Sequence, residues 1–271
     1  PTILSFSAVA SGSGTLVDGD TVRYTATASE VMRAGTAMRI TLSNDAQVIL
    51  TVDAADPTKL VDVYTIDGDN DDSNGDELTI ARYSAQTAVD LSGNALAVSP
   101  AADIPGSTPA TAILVDTEAP TASISQTGHT YNAATGQLTL TGTNILTLGD
   151  IDAVVTGQID LTQVSWRIDD SSTNSVSFLA ADLLSAAVVS DTSLTLTLTE
   201  AKAASLSGTT SFGGAGNVID SLDIDTGFLS DVAGNASTQN ALQSLDVAML
   251  DTTAPTILSF SAVASGSGTL V

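Results

Sequence analysis

The chain contains no cysteine, which excludes disulfide bonds, thiolate metal sites and thiol nucleophiles. Histidine occurs once, at His129, so a zinc site would have to combine a single imidazole with carboxylates. Aromatic residues make up only 4% of the chain, and any hydrophobic core must therefore be built mainly from Val, Ile, Leu and Ala. No run of about 18 apolar residues occurs, so the sequence offers no transmembrane helix.

Basic residues are also scarce. Seven Lys and Arg stand against 31 Asp and Glu, which gives a formal net charge of −24. This charge argues against a nucleic-acid partner, because such binding depends on Lys and Arg that neutralise phosphates. It argues equally against anionic membrane surfaces. Nearly all of the acidic residues are Asp, whose short carboxylate suits turns and hard cations held by loops.

What the chain has in abundance is repetition. Residues 1–17 read PTILSFSAVASGSGTLV, and residues 255–271 read the same, letter for letter. A repeat of this length predicts one period of a longer tandem array. We therefore expect the parent protein to carry further copies, and we call residues 1–254 a period.

Two shorter motifs divide the period into two units. The first, D-T-x-A-P-T, occurs at residues 116–121 and 251–256, and each occurrence follows an apolar run. The second, D-x-x-G-N-A, occurs upstream of each, at residues 90–95 and 231–236. Because Pro restricts the preceding residue to extended conformations, we expect a short, stiff linker rather than a flexible hinge. The predicted boundaries are residues 1–116 for the first unit, 117–251 for the second, and 252–271 for the first strands of the next.

Apolar residues alternate with Thr, Ser and charged residues along much of both units. A period of two places Val, Ile and Leu on one face and Thr on the other, which is typical of half-buried strands. Clusters of Gly, Asn and Asp separate these runs at short intervals, which favours a sandwich over βαβ units. The sequence thus predicts an all-β fold of two tandem antiparallel β-sandwiches. The clearest strand predictions are residues 21–26, 38–42, 60–66, 138–141 and 194–199.

Helical pattern is scarce. Residues 199–206 are expected to form two helical turns, with Thr199 as the N-cap, and residues 178–187 another short turn. Both are too short to organise a fold. Trp166 is expected to fill a core or its rim.

The paired motifs and the Thr- and Asp-rich alternating strands resemble the bacterial immunoglobulin-like repeats of very large surface adhesins and biofilm-associated proteins. Residues 131–136 (YNAATG) and 227–231 (GFLSD) are also similar to segments of such secreted repeats. The resemblance covers essentially the whole chain. It implies immunoglobulin-like sandwiches, a location at the bacterial cell surface, and a role as extender modules that hold an adhesive tip away from the cell, stiffened by Ca²⁺ at the junctions. Related sandwiches build surface layers and filaments.

The densest acidic segment, residues 67–77, lies between two predicted strands. Alternate Asp residues in a loop can turn several oxygens toward one centre, and Ca²⁺ takes about six to eight oxygen ligands. The segment is not an EF-hand, because its sixth position is Asp72 rather than Gly and its twelfth is Leu78 rather than Glu. The alternative is a solvated hairpin loop without metal. The candidate ligands are Asp67, Asp69, Asp71, Asp72 and Asp76.

A second group of cation candidates lies at the predicted junctions. Asp116 and Asp251 each come directly before the next unit, where an ion would draw on both neighbours. In the D-x-x-G-N-A motifs, Asp90 with Asn94 and Asp231 with Asn235 are the further candidates. For these motifs the alternative is a type I turn or a G1 bulge, in which the Asp side chain and a Gly at positive φ need no metal.

Enzymatic interpretations find little support. His129 lies in a Gly-His-Thr stretch where we expect a surface or loop position, and no G-x-S-x-G nucleophile elbow occurs. The adjacent pair Asp169 and Asp170 is a poor candidate for glycoside hydrolysis, because neighbours on a strand point to opposite faces. We therefore expect a protein without catalytic activity.

Three functions are compatible with these features. The leading hypothesis is an extracellular extender module in a giant adhesin, active in attachment and biofilm formation, whose partners are the neighbouring repeats of its own chain. The second is a self-assembling protein of a surface layer, sheath or filament, in which repeats contact other copies. The third is a carbohydrate-binding module, although sugar sites usually display aromatic residues, which are few here.

Overall fold

The computed structural model describes residues 1–12, 14–68, 76–213 and 219–250. Within this part of the chain strands dominate, which confirms the all-β prediction. The one α-helix among the described residues has only eight residues, and no helix there could cross a bilayer. Residues 1–116 contribute β1 (Ile3–Ala10), β2 (Thr21–Ala28), β3 (Ala37–Leu42), β4 (Gln47–Val52), β5 (Lys59–Thr65), β6 (Asp76–Glu77), β7 (Ile80–Ser84), β8 (Leu114–Val115) and a 3₁₀ turn at Ala101–Asp103.

The second unit has strands, 3₁₀ turns and one α-helix. Its strands are β9 (Ser123–Ile124), β10 (His129–Asn132), β11 (Gln137–Thr143), β12 (Val164–Arg167), β13 (Ser175–Ser177), β14 (Leu183–Ser190), β15 (Ser193–Leu198), β16 (Ser221–Ile224) and β17 (Leu242–Leu250). The helix α1 spans Glu200–Ser207, and the 3₁₀ turns span Ile145–Thr147, Thr156–Gln158, Leu161–Gln163, Ile168–Asp170 and Ala180–Asp182.

The first sheet has six strands in the order β1-β2-β5-β4-β3-β7, and every neighbouring pair is antiparallel. The alternation of apolar and polar residues along a strand decides which side chains lie on the buried face of this sheet. In β2, for example, Val22, Tyr24, Ala26 and Ala28 are buried, whereas Arg23 is exposed. The short pair β6 and β8 forms a separate two-stranded sheet. The strands predicted in this unit are confirmed.

The second sheet is larger and has one parallel pair. Its nine strands follow the order β13-β12-β16-β17-β10-β11-β15-β14, with β9 added to β11. Strand β10 pairs in parallel with β17, His129 opposite Val247, while the other pairs are antiparallel. The prediction of antiparallel sheets thus holds for the other pairs of this sheet, and the pair of β10 with β17 is the exception. A parallel pair requires a long crossover connection, and most of the second unit lies between these two strands.

The described residues form two hydrophobic clusters that share no member. One is built from residues between Ile3 and Val115, and the other from residues between Ala122 and Val247. The predicted boundary after Asp116 falls in the gap between them. Trp166 lies fully buried in the second cluster, in edge-to-face contact with Tyr131 at 5.0 Å between ring centroids.

The predicted helix is confirmed, but the second predicted turn is mostly strand. The Thr199 hydroxyl caps α1 by accepting from the backbone N–H of Lys202 at 3.3 Å. Residues 178–187 instead contain one 3₁₀ turn and then enter β14. The strand alternates between buried residues such as Ala186 and exposed ones such as Leu184. Since both kinds are apolar, the sequence hides the alternation.

A buried carboxylate organises the second core. Asp220 is only 1% exposed, and its oxygens accept from Trp166 Nε1 at 2.8 Å, the Asp169 N–H at 2.9 Å and the Gly213 N–H at 3.0 Å. Asp169 adopts a left-handed conformation with φ of 53°, which the hydrogen bond to Asp220 holds in place. Asp169 therefore belongs to the structural framework, and its neighbour Asp170 accepts from Ser221 Oγ at 2.7 Å.

Candidate functional site at the unit junction

The first D-x-x-G-N-A motif forms a tight hairpin loop closed by its own Asp. The Asp90 N–H donates to the Asn94 carbonyl at 3.0 Å, and the Gly93 N–H donates to the Asp90 carbonyl at 3.1 Å. The Asp90 carboxylate accepts from the Asn94 N–H at 2.8 Å and from Asn94 Nδ2 at 2.7 Å. Gly93 supplies the positive φ, 89°, that a three-residue hairpin loop requires. The hydrogen bond from the Asn94 side chain holds the pKa of Asp90 below its usual value.

The second motif repeats this pattern. The Asp231 N–H donates to the Asn235 carbonyl at 3.1 Å. The Asp231 carboxylate accepts from the N–H groups of Gly234 and Asn235 at 2.7 and 2.8 Å and from Asn235 Nδ2 at 2.8 Å. Gly234 has φ of 105°. Both motifs thus have the turn geometry that was the alternative to a metal site, and a metal role for their Asp and Asn residues stays a prediction.

The backbone of the linker residue Asp116 is hydrogen-bonded to both units. Its N–H donates to the Leu16 carbonyl of the first unit at 2.9 Å. Its carbonyl accepts from Asn235 Nδ2 of the second unit at 2.9 Å. The structure therefore brings together Asp116, Asp231 and Asn235, three of the candidate residues, across the boundary. Because Asp116 is held from both sides, rotation at this point would break a hydrogen bond.

The chain beyond Asp116 is held to the same segment by alternate side chains. Ser237 Oγ donates to the Ala122 carbonyl at 2.8 Å, and Gln239 Oε1 accepts from the Ile124 N–H at 2.5 Å. Pro120, between Asp116 and Ala122, is buried. Asn235, Ser237 and Gln239 are two residues apart, and the side chains of all three hydrogen-bond to the segment between Asp116 and Ile124. Together these three side chains hold the first residues of the second unit in place.

Acidic side chains line the pocket at this junction. The pocket has a volume of about 190 Å³ and is lined by Asp116, Glu118, Asp231 and neighbouring linker residues. All of the polar groups that these residues contribute are oxygens or backbone amides. Such a donor set suits a hard cation such as Ca²⁺ rather than a soft one.

Both ends of the acidic segment approach the same linker. The Gly68 N–H donates to Asp18 Oδ1 at 2.9 Å, and a Cβ on Gly68 would lie 3.3 Å from the Cβ of Thr117. At the other end, Asp76 in β6 pairs with Val115, directly before Asp116. The described ends of this segment thus lie beside the linker, which the sequence order does not reveal. Asp67 is exposed at the start of the segment.

Several candidate residues lie outside the described part of the chain. These are Asp69, Asp71, Asp72 and Asp251. Among the described residues, no three acidic or histidine side chains converge closely enough to hold a metal ion. The junction therefore has oxygen donors of the right chemistry, without a complete set of ligands from described residues. The assignment of calcium to these positions remains a prediction.

Sequence reasoning missed three residues of the junction: Glu118, Ser237 and Gln239. Glu118 occupies the variable position of D-T-x-A-P, and nothing in the motif marks it as lining a pocket. Ser237 and Gln239 follow the D-x-x-G-N-A motif at even spacing from Asn235, and this spacing was the signal in the sequence that the two residues act together with Asn235.

His129 is not at the surface or in a loop. It begins β10 and is only 1% exposed. Its Nδ1 accepts from the Thr141 N–H at 3.2 Å, and Nε2 lies 3.1 Å from the Ser125 carbonyl, which fixes the Nε2–H tautomer. Burial lowers the pKa of this imidazole. Both ring nitrogens thus hydrogen-bond to backbone groups.

Comparison with known proteins adds no family to this geometry. No protein-family model matches the chain, and no curated protein matches it either. The interpretation of the junction therefore rests on its hydrogen bonds, its burial and its repeated motifs.

Proposed function

We propose that this chain is a non-catalytic extender module of a large bacterial surface adhesin, made of two immunoglobulin-like sandwich units per period. It acts outside the cell in attachment and biofilm formation, and its main partners are the neighbouring repeats of its own chain. Identical copies in series add reach without new chemistry, since each unit contacts mainly its neighbours.

One observation carries the proposal, namely the junction at Asp116. Flexible linkers leave successive domains free to reorient, and relative motion is the default when the contact between domains is small. Here the linker backbone donates to Leu16 of one unit and accepts from Asn235 of the next, and Pro120 is buried. A junction fastened on both sides transmits orientation from unit to unit, which is what an extender needs.

Calcium is the proposed stiffening ion. The net charge of −24 opposes close approach of the units, since like charges repel in the compact state. Asp116, Glu118 and Asp231 line one pocket, and both ends of the acidic segment lie beside the linker. A divalent cation held there would offset the repulsion where the units meet.

Melting with and without a chelator tests the role of calcium. We expect the melting temperature of the chain to rise on addition of Ca²⁺ and to fall again with chelator, because an ion bound only by the folded state stabilises it by an amount that grows with the logarithm of the free ion concentration once this exceeds the dissociation constant. The variant Glu118→Gln/Asp231→Asn should lose most of the rise. Equal melting temperatures in calcium and in chelator would remove calcium from the proposal while leaving the junction intact.

A self-assembling structural protein is the second candidate, and an exposed apolar face supports it. Val9 pairs with Arg23, which pairs with Val63, so these three side chains share one face of the first sheet. Val9 is 64% exposed and Val63 45% exposed, and Ile49 lies on the same face at 44%. Apolar side chains grouped on a surface favour contact with other chains.

Electron microscopy of a chain with several periods separates these candidates. In the presence of calcium, an extender gives thin, isolated rods whose length follows the number of periods. A self-assembling protein gives ordered sheets or fibres instead. Val9→Thr/Val63→Thr, which removes two of the three apolar side chains of this face, should leave rods unchanged. If it dissolves sheets, the second candidate replaces the first.

A further inference from the structure

The loop of the first unit that contains Asp90 and Asn94 has the same form as the loop that holds the linker at the second unit. In both loops the Asp carboxylate accepts from the backbone N–H and from Nδ2 of the Asn four residues on. In the second unit, Asn235 Nδ2 also donates to the Asp116 carbonyl. Among the described residues, Asn94 Nδ2 has only its bond to Asp90.

The two Asn side chains also differ in their exposure. Asn235 is half-buried beneath the linker, whereas Asn94 is exposed. The two loops have matching backbones, so the linker accounts for the extra burial. The first unit therefore presents a loop of the same shape in which the Asn94 side chain is exposed.

The repeat defines which segment would cover it. Residues 255–271 are identical to residues 1–17, so wherever one period follows another, residues 251–254 run directly into a copy of Pro1. This D-T-T-A segment matches the D-T-E-A of the internal linker. Pro1 already lies beside the loop, because its carbonyl accepts from the Ala97 N–H at 2.9 Å. A chain that enters at Pro1 must pass the Asp90 loop, as the chain that enters at Pro120 passes the Asp231 loop.

We propose that the Asp90–Asn94 loop is the docking site for residues 251–254 of the preceding period, with Asn94 Nδ2 donating to the backbone carbonyl of that segment's Asp251. This inference rests on the proposed head-to-tail function and extends it to the contact between periods. The junction between periods lacks two side-chain contacts of the internal one, because Leu96 and Val98 stand where Ser237 and Gln239 hydrogen-bond to the linker side of the second unit.

A chain of two periods, residues 1–254 followed by residues 1–271, tests this contact. Since the protein has no cysteine, spin labels can be attached at Ser175→Cys in the first period and Thr51→Cys in the second, two exposed positions. Pulsed EPR then measures the distribution of distances across the junction between periods. We expect a narrow distribution in this chain.

The matched comparison is Asn94→Ala in either period. In the second period it removes the proposed contact, and the ratio of docked to undocked conformers should fall by roughly two- to tenfold, as expected for one hydrogen bond. In the first period the same substitution disturbs only its own loop and should leave the distribution unchanged. Melting curves of both variants measure the loss of stability that the substitution causes within the loop itself.

The outcomes are distinct. A narrow distribution that Asn94→Ala in the second period does not broaden would overturn the docking site and leave the proposed function standing. Equal broadening from both variants would also overturn it, since Asn94 would then serve its own loop alone. A broad distribution in the unsubstituted chain would overturn the stiff extender, and the docking site with it.

Discussion

The contribution of Asn235 to the junction can be measured in the chain itself. Asn235→Ala removes two side-chain hydrogen bonds, to Asp231 Oδ2 at 2.8 Å and to the Asp116 carbonyl at 2.9 Å. Asn94→Ala removes the equivalent of the first bond alone. The difference between the two losses is therefore the contact across the boundary. A hydrogen bond between uncharged groups contributes about 0.5–1.5 kcal/mol, so we expect Asn235→Ala to cost about 1 kcal/mol more than Asn94→Ala.

Hydrogen exchange at the linker reports this loss locally. The Asp116 N–H is bonded to the Leu16 carbonyl and the Glu118 N–H to Asp116 Oδ1. If undocking exposes these amides, a loss of about 1 kcal/mol should speed their exchange about fivefold. Asn94→Ala should leave them unchanged. Linker exchange that is the same in Asn235→Ala, Asn94→Ala and the parent chain would refute the claim that Asn235 holds the linker.

Two further predictions concern stability. Asp220→Asn should lower the free energy of unfolding in urea by about 3 kcal/mol, because it places an N–H₂ group against buried donors that include Trp166 Nε1. The exposed control Asp225→Asn should lower it by under about 0.5 kcal/mol. Similar losses from both variants would contradict the role of Asp220 in organising the second core. Burial lowers the pKa of His129, so the unfolded chain takes up its proton at higher pH than the folded chain does. The contribution of neutral His129 to stability should be complete above about pH 6.5. Below that pH the free energy of unfolding should fall by at most about 1.4 kcal/mol per pH unit. His129→Gln should remove this slope below about pH 6.5, and a slope that persists there would assign it to other groups.

Local pattern was sufficient to predict most of the strands. In β2, β11 and β15, buried apolar residues alternate with Thr or Arg, so the period of two is visible in the sequence. In β14 the exposed Leu184 and Val189 hide it. The parallel pairing of β10 with β17 was also beyond prediction, because no local signal joins strands so far apart in the chain.

The junction was predicted in part for a similar reason. Repetition of D-T-x-A-P and D-x-x-G-N-A marked Asp116, Asp231 and Asn235 as residues worth comparing. It did not show that Asn235 contacts Asp116, a contact between residues 119 positions apart. The position of His129 was wrong because the residue type alone does not reveal that Thr141 and Ser125 satisfy its ring nitrogens.

The growth of molecular length with the number of periods tests the central claim most directly. Small-angle X-ray scattering of chains with one, two and three periods gives the radius of gyration of each. Stiff junctions predict that every added period increases this radius by about the same amount. Growth that follows roughly the square root of the number of periods, as for freely jointed units, would contradict a protein that works by reach.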